Sequence, residues 1–80
     1  MDNKLESLQE LTDAIDRRQD IEFLLNDVHY NISTDGVPFI AVCPDGDGQY
    51  YKDAKDLVNN HFIDGKPLKN LWQNIEIIFM

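Results

Sequence analysis

From Ile21 to Cys43 the chain reads as short strands broken only at turn-forming pairs, with apolar and polar residues alternating at a period of two up to Ser33. Ile21, Phe23 and Leu25 fall on one face, and Glu22 and Leu24 on the other, as in a half-buried strand. Asn26-Asp27 interrupts the pattern. It resumes with Val28, Tyr30 and Ile32 on one face and His29, Asn31 and Ser33 on the other, so two strands joined by an Asx-type tight turn form a hairpin. Asp35-Gly36 marks a second turn. Val37 to Cys43 is nearly all apolar, which suggests a central strand covered on both faces, with Pro38 near its start, where a missing donor costs least. The expectation is a three-stranded antiparallel meander.

The flanking segments supply helices and one more strand. From Asn3 to Arg18, Leu5, Leu8, Leu11, Thr12 and Ile15 recur at helical steps, and Asn3 with Glu6 resembles a capping box. Arg17 and Arg18 then fall in the last turn, where cations suit the helix dipole. Lys52 to Asn60 carries Ala54, Leu57 and Val58 on one face and reads as a second, short helix. After the turn Asp64-Gly65-Lys66-Pro67, residues Leu68, Leu71 and Trp72 give a third. Ile75 to Phe79 is too short for another helix and rich in β-favouring residues, so it is read as a fourth strand that must be paired and covered. The fold class expected is α+β: a small, mainly antiparallel four-stranded sheet with the N-terminal helix packed on one face, in the order α-β-β-β-α-α-β. The fourth strand belongs beside the first if the two-helix connection carries the chain across the sheet; the opposite edge is the alternative.

Eighty residues suit one domain spanning 1–80, and a domain this small buries a modest share of its surface. A single cysteine, Cys43, offers no internal bridge, so the core must suffice or a second copy must help. Four Phe, three Tyr and one Trp make a self-sufficient core credible. The first residues have neither the basic start nor the apolar run of a signal peptide, and no window approaches the roughly 20 apolar residues of a membrane span. An unpaired cysteine in an apolar strand fits a reducing compartment, so the cytoplasm is expected. The formal charge of −8 disfavours direct binding to nucleic acid or to an anionic membrane.

No catalytic or metal-binding constellation emerges. Asp45-Gly46-Asp47-Gly48-Gln49 invites a calcium-loop reading, but on that template Tyr50 stands where glycine is required and Asp56 where a bidentate glutamate is required. A solvated turn explains the run better. His29, His61 and Cys43 are too few and too dispersed for structural zinc, and Cys43, Ser7 and Ser33 lack the flanking pattern of a nucleophile. The four glycines lie in separate turns and form no phosphate loop. No metal, no cofactor and no enzymatic activity are expected.

The charge pattern is the feature most open to a functional reading. Asp2, Glu6, Glu10, Asp13 and Asp16 line the side of the first helix opposite its apolar stripe. Asp45 and Asp47 add charge in the loop, and no Lys or Arg occurs from Gln19 to Tyr51. A row of carboxylates at helical spacing, beside a cation-free sheet, can address a basic cleft much as a phosphate backbone does. A solvated face that keeps the chain soluble is the plainer explanation.

From Tyr51 the chain runs Asp-Ala and a leucine-bearing helix, then Phe-Ile-Asp-Gly-Lys-Pro-Leu into a Trp and an Ile-Glu-Ile ending. This third of the chain, Tyr51 to Ile77, resembles short acidic reading frames of phages and prophages of low-GC Gram-positive bacteria. The resemblance implies an origin and a small accessory or inhibitory role, and it brings no catalytic residues with it. The expectation is therefore a noncatalytic acidic interaction protein, an inhibitor or nucleic-acid mimic that binds a basic protein surface. The alternative is a self-associating structural module, such as a homodimer, whose acidic surface serves solubility alone.

Overall fold

The alternating stretch folds as a meander of β1 (Ile21–Leu25), β2 (Val28–Asp35) and β3 (Val37–Val42) in the computed structural model, which describes residues 4–80. Ile21 pairs with Ile32, Phe23 with Tyr30, and Ile32 in turn with Ile40, so the apolar sets of all three strands share one face. The first turn works because Asn26 and Asp27 both take left-handed φ, 52° and 65°, as a two-residue hairpin turn of this twist requires. Pro38 is the second residue of β3, and its carbonyl accepts the Tyr51 N–H at 2.9 Å. Its missing donor therefore faces the sparsely paired side of the strand, where the loss is small.

The sheet has five strands, one more than expected. Gln49–Tyr50 adds a two-residue β4 along β3, while Glu76–Phe79, here β7, pairs with β1, which gives the order β4-β3-β2-β1-β7. The last strand thus lies beside the first. It is paired but only partly covered: Ile75 is buried just before it, whereas Ile78 and Phe79 are exposed. A separate hairpin of β5 (Phe62–Ile63) and β6 (Lys66–Pro67) turns through Asp64 and Gly65, at φ 55° and 82°. Asn26 donates to Asp64 at 3.2 Å, so the tips of the two hairpins touch.

Helix α1 spans Leu8–Asp16 and is shorter than the 3–18 expected. Asn3 lies outside the described residues, and Glu6 occupies a bend ahead of the helix. Ser7 caps instead: it accepts the Glu10 N–H at 3.1 Å, and the Glu10 carboxylate accepts the Glu6 N–H at 2.8 Å. At the other end Arg17 is the C-cap and Arg18 takes φ 62°, while the Gln19 and Arg18 N–H groups return to Ala14 and Ile15 at 3.1 and 3.0 Å. Both arginines therefore stand past the last turn rather than in it.

Helix α2 (Ala54–Asn60) is capped in the same way by Asp53, with Asp56 accepting the Lys52 N–H at 2.8 Å. In place of the third helix there are two 3₁₀ turns, Leu68–Asn70 and Trp72–Asn74. Leu71 and Asn74 each donate three residues back, so the segment is too short and too tightly wound for an α-helical ladder. Leu68 and Leu71 are nevertheless buried.

Both helices cover the same face of the sheet. Leu11, Ala14 and Ile15 of α1 and Leu57 and Val58 of α2 join Ile21, Phe23, Leu25, Ile32 and Ile40 in one core, with Phe23 and Tyr30 stacked at 5.3 Å. No polar or charged side chain is buried among the described residues. The expectation that β3 is covered on both faces fails, because Pro38 and Ile40 are buried while the alternate residues Phe39 and Ala41 are only half-buried and Val37 is exposed. The helical layer lies on one side of the sheet; on the opposite side most strand residues are half-buried, and Gly48 of the loop after β3 lies close to the Phe39 ring. No helix among the described residues is long and apolar enough to cross a membrane.

Candidate interaction surface

The acids singled out on the first helix separate into those the fold groups and those it does not. Glu10, Asp13 and Asp16 project from one side of α1, opposite Leu11 and Ile15. Glu6 is exposed but precedes the helix, and Asp2 lies outside the described residues. Two of the three helical carboxylates are engaged locally: Glu10 holds the Glu6 N–H, and Asp13 accepts the Gln9 amide at 2.8 Å. The ridge is therefore shorter and more tied down than its sequence spacing suggests.

Asp45 and Asp47 are exposed in the loop after β3. That loop folds back on its strand: the Gly46 N–H donates to the Val42 carbonyl at 2.7 Å, and a Cβ on Gly46 would meet that oxygen at 2.6 Å. Asp47 lines a cavity of about 80 Å³ with Tyr30, Gln49 and His61. Asp16 instead borders a cleft of about 410 Å³ between the helices, lined by Leu8, Thr12, Lys55 and Val58. The loop acids and the helix acids therefore border different cavities.

The uncovered side of the sheet carries residues that the sequence reading did not single out. Strand registers set Tyr50, Phe39 and Ser33 in one row across it, and Ala41, Asn31 and Glu22 in the next, with Phe79 in register with Glu22. A third row runs from His29 through Leu24 to Glu76. Phe39 and Tyr50 lie 5.1 Å apart at a tilt of 41°. Asp20 accepts from Ser33 at the end of the first row, and Glu22 pairs with His29 at 2.9 Å. The β3–β4 part of this face is thus apolar and aromatic, while the β1–β7 part mixes the carboxylates of Glu22 and Glu76 with Leu24 and the exposed Phe79, and Lys4 bridges Glu76 at its edge. The period-two reading had already put Glu22 and Leu24 on this face. Whether anything covers it is a property of the second layer, which the strands do not encode.

Cys43 and His29, read as isolated, are cross-strand neighbours: the Cys43 N–H donates to the His29 carbonyl at 2.9 Å. Burial and the nearby Glu22 carboxylate both push the Cys43 thiol up. No three His, Cys, Asp or Glu side chains converge as metal ligands among the described residues. His61 sits elsewhere, at the end of α2, where its Nδ1 lies 2.9 Å from the Tyr51 hydroxyl. Burial lowers the His61 pKa; burial and then Asp56 raise that of Tyr51. Both shifts favour a neutral pair, with the phenol donating and the imidazole accepting. Asp56 itself is held below the usual carboxylate range, chiefly by the Lys52 N–H and next by the Asn60 amide.

No family model, no curated protein and no solved structure matches the chain.

Proposed function

We propose that the chain is a noncatalytic acidic interaction protein of the cytoplasm that binds a basic surface on another protein, as a phage-derived inhibitor would. The observation that carries this reading is how the carboxylates are used. Those with partners accept from backbone N–H, amide or hydroxyl groups, and the ion pair seen among the described residues is Glu22 with His29. Lys4 aside, no lysine or arginine of the described residues stands in ion-pair contact with a carboxylate. Against a formal charge of −8, the surface keeps a largely uncompensated negative field, which steers and holds a cationic partner. Three helical carboxylates are too few to imitate a phosphate backbone, so the reading rests on the whole field.

The test is retention on immobilised basic proteins, followed by affinity measurements in about 50 and about 300 mM salt. The dissociation constant rises by about tenfold or more between the two conditions, because surface charge pairs are screened over that range. No retention, or an affinity indifferent to salt, rejects the proposal. A second reading, self-association, draws on the edge strand β7 with its exposed Ile78 and Phe79. A salt-insensitive dimer in sedimentation supports it.

A further inference from the structure

We infer that the open side of the five-stranded sheet, rather than the acidic side of α1, is the docking surface, and that its occupant is a basic amphipathic helix of the partner protein. The inference rests on the reading of an acidic interaction protein and assigns the place and shape of the contact. On the opposite side α1 and α2 already complete the core, so a helix on the open side would make a third layer. Five strands at their usual spacing span roughly 19 Å. A helix about 10 Å across covers part of that width and leaves its flanking side chains to reach the rest.

The two halves of the face specify what that helix must carry. Phe39, Ala41, Tyr50 and Val37 offer an apolar bed over β3 and β4, with Tyr50 57% exposed and Val37 38% exposed. Glu22 and Glu76, with Asp20 at the end of the first row, put carboxylates over β1 and β7. Within the five strands these rows contain no Lys or Arg; at the β7 edge Lys4 bridges Glu76 in antiparallel register and sets one cation beside the third row. An apolar stripe flanked by Lys or Arg matches this division, since long cationic side chains lay their methylene stems on apolar surface and extend their charge beyond it. A second copy of the chain matches it poorly: two faces whose carboxylates outnumber the edge cation Lys4 would meet, each on a molecule of charge −8.

The test uses the ¹⁵N-labelled full chain and a synthetic helical peptide of leucine on one face and lysine on the other, with a control in which glutamate replaces lysine. Two triple variants remove equal charge from different places: Asp20→Asn, Glu22→Gln and Glu76→Gln on the sheet, and Glu10→Gln, Asp13→Asn and Asp16→Asn on the helix. The lysine peptide shifts the amide signals of Ser33, Phe39, Ala41 and Glu22. The sheet variant binds it about tenfold or more weakly while the helix variant stays within about threefold, as expected when contact charges rather than net charge decide. The amide spectrum of each unliganded variant reports whether its fold is intact, and Ala41→Lys supplies an independent block of the apolar bed.

Shifts confined to α1 or to residues 43–48, or weakening by the helix variant alone, overturn this inference and leave the proposed function standing. Equal binding of the glutamate peptide overturns it in favour of a purely apolar contact. Concentration-dependent shifts of the same amides without peptide overturn it in favour of a second copy. No salt-sensitive binding of the lysine peptide anywhere on the chain overturns both proposals.

Discussion

The two faces of the sheet come from the same alternating strands and have opposite fates. On the inner face Ile21, Phe23, Ile32 and Ile40 are at most 1% exposed, while on the outer face Phe39 and Leu24 remain half-buried and Tyr50 and Phe79 are largely exposed. Alternation therefore creates two surfaces without saying how many will be covered. Coverage follows from where the helices can lie, and among the described residues α1 and α2 are the α-helices that can supply it. The uncovered face keeps Tyr50 and Phe79 exposed and Phe39 and Leu24 half-buried, next to Glu22 and Glu76, the latter bridged at the sheet edge by Lys4.

The largest effect that tests this contrast is a pair of truncations. Phe23→Ala on the inner face should destabilise the fold by about 3–5 kcal/mol, as full burial of an aromatic side chain implies. Phe39→Ala on the outer face should cost clearly less, about 1–2 kcal/mol, because part of its ring is already wet. Equal losses in urea titrations would break the distinction between the faces. Next comes the loop that closes β3. Gly46→Ala pushes a methyl group against the Val42 backbone and should cost about 1–3 kcal/mol, read as a lower urea midpoint. An unchanged midpoint would show that the loop does not need its close return onto the strand.

A smaller effect should appear with pH where α2 meets the sheet layer. Burial lowers the His61 pKa below the ordinary value of about 6.5, so the folded state resists protonation more than the unfolded chain does. The stability tied to the neutral ring is complete above that ordinary value and is lost as pH falls through the lower, folded-state pKa. His61→Phe should flatten this part of the stability profile. Asp56, held low by its two hydrogen bonds, adds a separate loss in the carboxylate range, which the variant leaves in place. The smallest effect belongs to the outer face. Glu22→Gln should change stability by less than about 0.5 kcal/mol, since both partners of the His29 pair are about two-fifths exposed. A larger loss would mean that the outer face is structurally committed and not merely available.

Much of the fold was legible because it depends on local chemistry. The Asn26-Asp27 turn, the alternation of β1 and β2, and the apolar face of α2 are all written in neighbouring residues. The start of α1 was legible and misplaced: Ser7-Leu-Gln-Glu10 fits a capping box, as does Asn3 with Glu6, and only the first holds the helix that forms. The β5–β6 hairpin carried its own signal in Asp64-Gly65, a dipeptide suited to left-handed φ, yet its strands are too short for any period to show. β4 is equally short, two residues, and pairs Tyr50 with Phe39 across the ladder. Of the candidate site residues, Glu10, Asp13 and Asp16 could be grouped by counting along a helix, whereas the rows joining Tyr50, Phe39, Glu22 and Glu76 required strand registers and sheet order.

The sequence by itself determined the α+β class, the places of the main turns, and the excess of carboxylates over cations, because dihedral preference, periodicity and charge act over a few residues. The tertiary structure alone decided that the helices cover only one side of β3 and that aromatics and acids share the other; between the two edges open to the last strand, it chose the one beside β1. Those outcomes depend on which surfaces meet across 30 or more residues of chain, a matter of packing geometry that no window of neighbouring residues contains.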